Sequence, residues 1–149
     1  KYDIIVNFEV LEHLHSPKFF LRSTKKYLKN NGIIFLTCPN GMGFDVQKLK
    51  EKSDCIDHEH LNYFNPKSIQ ILFEKNGYKI IDVSTPGQLD ANIVKNKIVE
   101  KKYKIKKNDF FKKIYNDDLL VGNFQEFLVQ NRLSSNMLVV AKLKKKNVQ

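Results

Sequence analysis

The sequence predicts an α/β fold built on a largely parallel sheet, and three observations carry that prediction. Tyr2–Phe8 (YDIIVNF) and Ile33–Cys38 (IIFLTC) are continuous β-branched runs, too short for helices and too apolar for surface strands. An amphipathic stretch lies between them, and the connections on either side are short. Strand, helix and strand in that order make a βαβ unit with parallel strands and a right-handed crossover.

The first strand is expected to be buried. Ser16 then offers an N-cap with Pro17 at the first helical position, and Phe19, Phe20, Thr24, Tyr27 and Leu28 recur at helical spacing. A helix over 17–28 is expected, ended by Asn31-Gly32. The second strand stops at Pro39-Asn40-Gly41. From Gly41 to His60 the pattern is that of a loop or lid, with a short helix at most in DVQKLKEK. Asn65-Pro66 opens another helix, with Ile69, Leu72 and Phe73 on one face and Asn76-Gly77 as its C-cap. Tyr78–Ser84 is a third strand. Lys95–Lys113 holds nine lysines among Ile98, Tyr103, Ile105, Phe110 and Phe111. It reads as an amphipathic helical insertion with a solvated basic face, a membrane-surface or RNA-binding face being the alternative. NFQEFLVQNRL is a last helix, and Asn136–Lys144 a final strand before a basic tail.

A chain of 149 residues with 42% hydrophobic content suffices for one domain with a sizeable core. No apolar run approaches the ~20 residues that cross a bilayer, and the N-terminus lacks a secretory layout, so a cytoplasmic location is expected. The chain begins at Lys1 rather than Met and enters a strand at once, which fits a piece of a longer protein. Cys38 and Cys55 have neither disulfide-framework nor zinc-knuckle spacing. The net charge of +10 invites nucleic acid as a partner, yet only Arg22 and Arg132 of the 26 basic residues are arginine. The charge is therefore read as solvated surface, with nucleic acid not favoured.

Ligands of parallel sheets bind at the carboxyl ends of the strands. Glu9, Glu12 and His13 follow the first strand in the pattern E-x-x-E-H, and DHEHLNYF (Asp57–Phe64) returns from the same edge, bringing His58 and His60 within reach. If Glu9–His13 forms a helical turn, its three ionisable residues share one face and Val10, Leu11 and Leu14 point to the core. Two carboxylates and imidazoles suit a divalent ion or an acid or base acting on a hydroxyl. The same residues also suit a solvated helix start, with Glu near the N-terminus and His on the surface.

YDIIVNFEVLEHL, NNGIIFLTCPN and HLNYFNPKSIQILFEKNGY together resemble the second half of class I S-adenosylmethionine-dependent methyltransferases, from the fourth strand onward. FQEFLVQNRLSSNMLVVAK resembles a C-terminal extension in a bacterial subgroup of them. The resemblance implies a Rossmann-like methyltransferase fold, with a partial parallel sheet, a final antiparallel strand and a Lys-rich helical insertion at about 90–135. Residues 1–149 would be the C-terminal half of the domain. The family's glycine-rich turn and ribose-binding acid are not in this chain; Gly41-Met42-Gly43 follows the wrong strand, and position 46 is Val.

By the same resemblance Asn7, Phe8 and Glu9 line the methionine side of S-adenosylmethionine. The E-x-x-E-H pattern is similar to that of ubiquinone-pathway O-methyltransferases and small-RNA 2′-O-methyltransferases, where it is associated with a divalent metal. It implies Glu9, Glu12, His13 and His60 as ligands of Mg²⁺ or another divalent ion, and Glu12, His13 and His60 as catalytic residues. The expected activity is methyl transfer to an oxygen or nitrogen of a small-molecule or glycan acceptor. The alternative is a non-catalytic methyltransferase-like module that binds a partner subunit, RNA or an acidic surface.

Overall fold

The computed structural model describes residues 1–106 and 109–144; Lys107, Asn108 and the expected basic tail from Lys145 lie outside the described residues. The chain runs β1 (Tyr2–Phe8), a 3₁₀ turn (Leu11–His13), α1 (Pro17–Thr24), β2 (Leu28–Pro39), α2 (Phe44–Leu49), α3 (Pro66–Lys75) and β3 (Tyr78–Ser84). It continues through α4 (Asp90–Val99), α5 (Phe111–Tyr115) and α6 (Asp118–Gln130) to β4 (Asn136–Leu143). The strands form one sheet in the order β1-β2-β4-β3. β1 and β2 are parallel, and β4 lies antiparallel between β2 and β3. This is the expected Rossmann-like methyltransferase architecture, closing antiparallel strand included.

Strand alternation divides the sheet into two faces. Ile34, Leu36 and Cys38 of β2 and Met137, Val139 and Ala141 of β4 are buried with Leu21 of α1 and Ile69 and Phe73 of α3. α3 is well started: Asn65 Oδ1 accepts from the Lys67 and Ser68 N–H groups while Ser68 Oγ accepts from the Asn65 N–H, a reciprocal cap. The other face is open over β1. Tyr2, Ile4, Val6 and Phe8 are 51–63% exposed, so the first strand is not the buried strand expected from its composition. A continuous apolar run signals burial on both faces; among the described residues β1 pairs on one side only and meets helices on one face only.

α1 is shorter than the periodicity suggests. The Tyr27 carbonyl accepts from the Tyr2 N–H at 2.7 Å, and Leu28 pairs with Tyr2, so pairing draws 27–28 out of the helix and into the start of β2. Among the described residues the Lys-rich stretch is not one amphipathic helix: it takes in the end of α4, an irregular run over 100–106, and α5. Its charged residues are partly engaged: Lys95 pairs with Asp118, Lys97 with Asp54, and Asp109 with Lys48 of α2.

Helices α2, α4 and α5 have an apolar cluster of their own, built on Leu49, Val94 and Tyr115 with Phe44 and Phe111 packed against it. Between this cap and the sheet lies a buried polar clasp. Asp90 accepts from Gln125 Nε2 and Ser134 Oγ, both at 2.6 Å, and from the Ser135 N–H. Asp45 accepts from Ser135 Oγ and, at 3.0 Å, from Ser53 Oγ. Asn40 Nδ2 donates to the Ser134 carbonyl at 2.9 Å. Gly43 and Gly87 are required by closeness, because a side chain at either would collide with Ser135 or Ser134.

The two faces should respond differently to truncation. Leu36→Ala is expected to lower the unfolding free energy by about 2–5 kcal/mol, and Val6→Ala by less than about 1 kcal/mol, both read from urea denaturation.

Candidate functional site

The end of β1 is shaped by a sharp change of backbone direction. The Glu9 N–H still donates to the Thr37 carbonyl of β2 at 3.1 Å, and Glu9 itself takes a φ of 50°, in the left-handed region unusual for a residue with a side chain. A tight turn follows, in which the His13 N–H donates to the Val10 carbonyl at 3.1 Å. The helical segment therefore starts at Leu11, and Glu9 stands before it instead of sharing one helical face with Glu12 and His13. Leu11 drops fully into the core, Val10 remains 37% exposed, and Glu12 is carried under the surface at 1% exposure.

The facing wall is the loop between α2 and α3. Tyr63 Oη accepts from the Asp57 N–H at 3.2 Å and lies 3.1 Å from the Asp57 carbonyl, closing the loop on itself. His60 Nδ1 sits 2.8 Å from the Cys55 carbonyl, and His13 Nδ1 sits 3.0 Å from the Glu59 carbonyl. A carbonyl only accepts, so each Nδ1 carries a hydrogen, and in the uncharged tautomer that this selects the lone pair is on Nε2.

These segments bring Glu12, His13 and His60 together. One ligand atom from each lies within 4.8 Å of the other two, and the two imidazole centroids are 4.7 Å apart. His13 Nε2 is 3.9 Å from Glu12 Oε1. Both Glu12 carboxyl oxygens are buried, with no hydrogen-bond partner among the described residues. Burial pushes the Glu12 carboxyl above its ordinary range, the neighbouring Glu9 carboxylate adds to the shift, and His13 and His60 oppose it. Two carboxyl oxygens and two imidazole nitrogens without competing partners can accept a proton or hold a cation.

The other expected residues lie around this group. Glu9 is outside it, its carboxyl accepting from Asn136 Nδ2 at 3.3 Å. Asn7 is half-buried with its Oδ1 unpartnered, and Phe8 is exposed, edge-on to Phe35. His58 projects into solvent, paired with Asp57 at 2.8 Å. Residues that the sequence did not single out also shape the edge: Asn62, which bonds to the Glu12 carbonyl, Asn136, and the Asp45–Asp90 clasp. Nothing in a single sequence marks these polar residues, because their partners are distant in the chain.

With this geometry in place, the chain can be set beside known proteins. Residues 1–83 match a family model described as a methyltransferase domain. The chain is 28% identical over 93 residues to the ubiquinone biosynthesis O-methyltransferase of Bartonella quintana, covering 55% of this chain and 36% of that protein. It is 37% identical over 70 residues to the C-methyltransferase NovU of Streptomyces niveus, covering 43% of this chain and 17% of that one. The chain thus spans about a third or less of these relatives' length. Among solved structures, a SAM-dependent methyltransferase from Archaeoglobus fulgidus superposes with a TM-score of 0.53 at 18% identity, over 94% of this chain and 58% of that chain. Phosphoethanolamine N-methyltransferase 2 of Haemonchus contortus does so with a TM-score of 0.54 at 19% identity, over 97% and 34%. The family match takes in 83 of the 149 residues, and the α/β architecture agrees with it: the chain belongs to the methyltransferase domain family.

Proposed function

We propose that residues 1–149 are the C-terminal half of a methyltransferase domain that moves a methyl group from S-adenosylmethionine to an oxygen or nitrogen of a small-molecule or glycan acceptor. The observation that carries this reading is the Glu12 carboxyl, buried, unpartnered and facing two imidazoles at the carboxyl edge of the sheet. Natural proteins rarely leave a buried carboxyl unsatisfied, and where they do a functional role is the usual reason. The open edge of β1 and its exposed apolar side chains support the placement, since preceding strand and helix units of a complete domain would pack there.

When bound, S-adenosylmethionine supplies an electrophilic methyl group. Asn7, Phe8 and Glu9 would border it, and the unpartnered Asn7 Oδ1 fits such a contact. An acceptor hydroxyl held at the Glu12 group would lose its proton to Glu12 or an imidazole Nε2 as its oxygen bonds to the methyl carbon and the methyl–sulfur bond breaks to leave a neutral thioether. The same donor set fits a divalent ion, which Glu12, His13 and His60 would hold and which would acidify the hydroxyl. Two imidazoles with carboxylate suit Mn²⁺ or Zn²⁺ as well as Mg²⁺.

Glu12→Gln separates these roles. Its raised folded-state pKa means that Glu12 leaves stability intact below its unfolded-state value and removes it as pH rises through the folded-state value. Without divalent ions the variant is expected to exceed wild type in stability by about 1 kcal/mol at neutral pH, the gain vanishing in acid. With Mn²⁺ or Zn²⁺ at a hundredfold its Kd, wild type should gain about 2.7 kcal/mol and the variant little, as urea denaturation at several pH values would show. A wild type unmoved by either ion would remove the metal from the reading and leave the direct proton role.

This chain alone should bind S-adenosylmethionine weakly, because the glycine-rich turn and ribose-binding acid of the family are not in its sequence. Titration calorimetry is expected to give a Kd weaker than the low micromolar range, about −8 kcal/mol. Tighter binding would mean that the main cofactor contacts lie within these residues.

A further inference from the structure

The geometry points to Asn62 as the positioning residue that holds the two walls of the Glu12–His13–His60 group against each other. The inference rests on the reading of that group as the functional site and adds to it a residue that acts through main-chain carbonyls. Glu12 and His13 come from the turn after β1, whereas His60 comes from the loop before α3, so some interaction must fix one segment on the other. A single 3₁₀ turn satisfies few of its own carbonyls: the His13 and Leu14 N–H groups donate to those of Val10 and Leu11, and those of Glu12 and Leu14 are bonded from the facing loop.

Asn62 takes both. Its main-chain N–H donates to the Glu12 carbonyl at 3.0 Å, and its Nδ2 donates to the same carbonyl at 3.2 Å and to the Leu14 carbonyl at 2.7 Å. The residue carrying the unpartnered carboxyl is therefore gripped through its backbone by the residue two positions after His60. One bond runs the other way, from His13 Nδ1 to the Glu59 carbonyl. The Asn62 bonds are half-buried, where competition from water is reduced. The chemistry asks for an amide: two N–H donors on a short side chain can bridge two carbonyls, and a carboxylate of the same shape can only repel them. Tyr63, next in sequence, locks the loop internally through Asp57, so Asn62 grips a segment that already has a shape of its own.

The test compares the full chain with Asn62→Ala and Asn62→Asp, and with Asp117→Ala as a control. Asp117 caps α6 in the distant helical cap, so its loss destabilises the fold without touching the site. The first readout needs no metal: nuclear Overhauser contacts between the His13 and His60 rings, whose centroids are 4.7 Å apart. They should be present in wild type and in Asp117→Ala and lost in both Asn62 variants. The second is titration with Co²⁺, followed by its visible absorption. Asn62→Ala is expected to bind about ten- to a hundredfold more weakly than wild type, with Asp117→Ala unchanged.

Ring contacts that persist in both Asn62 variants would overturn the proposal, as would equal Co²⁺ affinity in wild type and Asn62→Ala. A wild type that shows the ring contacts but binds no Co²⁺ would overturn the metal reading and leave Asn62 to be decided by the ring contacts. A wild type without ring contacts would overturn both the convergence of the site and the role of Asn62. If Asn62→Ala does not fold, Asn62→Asp carries the same ring-contact comparison.

Discussion

The register of β2 against its two neighbours is the constraint on which the rest of the edge depends. Phe8 pairs with Thr37 on one side and Asn136 with Pro39 on the other, so three chain segments reach the carboxyl edge at the same height. Side chains alternate along a strand, and a slip of one residue would turn Leu36 and Cys38 to the open face. It would also withdraw the Thr37 carbonyl from the Glu9 N–H and loosen the turn that follows. Burial of Leu11 fixes that turn from beneath, and Glu12 is drawn under because it follows Leu11 in so tight a bend.

Two kinds of buried carboxyl group coexist along this edge, and they differ in their hydrogen bonds. Asp45 and Asp90 are nearly inaccessible and accept from serines, a glutamine and backbone N–H groups. Their hydrogen-bonding capacity is spent on holding the 134–135 turn. Glu12 is as deeply buried, and its carboxyl oxygens have no hydrogen-bond partner among the described residues. Burial raises the Glu12 carboxyl above its ordinary range, because removing a carboxylate from water disfavours its charged form.

Much of the architecture was legible in the sequence because it depends on local signals. Pro17 and Pro66 after Ser16 and Asn65 marked helix starts, and β-branched runs marked strands, since capping and alternation act within a few residues. The gathering of Glu12, His13 and His60 followed from two segments leaving and re-entering the same sheet edge. Three features were not legible. The exposure of β1 depends on what packs against it, which composition cannot report. The early end of α1 reflects competition between helix propensity and pairing with Tyr2. The helical turn expected over Glu9–His13 gave way to the backbone reversal at Glu9, and pattern alone carries no trace of a positive φ.

The separation of the molecule into two apolar clusters joined by hydrogen bonds has a consequence for how such a chain can diversify. Packing energy within each cluster is local, so enlarging or reshaping Tyr115 or Phe111 strains the cap and leaves the packing around Leu36 and Phe73 undisturbed. The junction is polar and directional, and it specifies where the cap sits with little regard to what fills it. The cap can therefore accumulate substitutions much as an exchangeable part does, on a sheet whose own sequence is held fixed by its register.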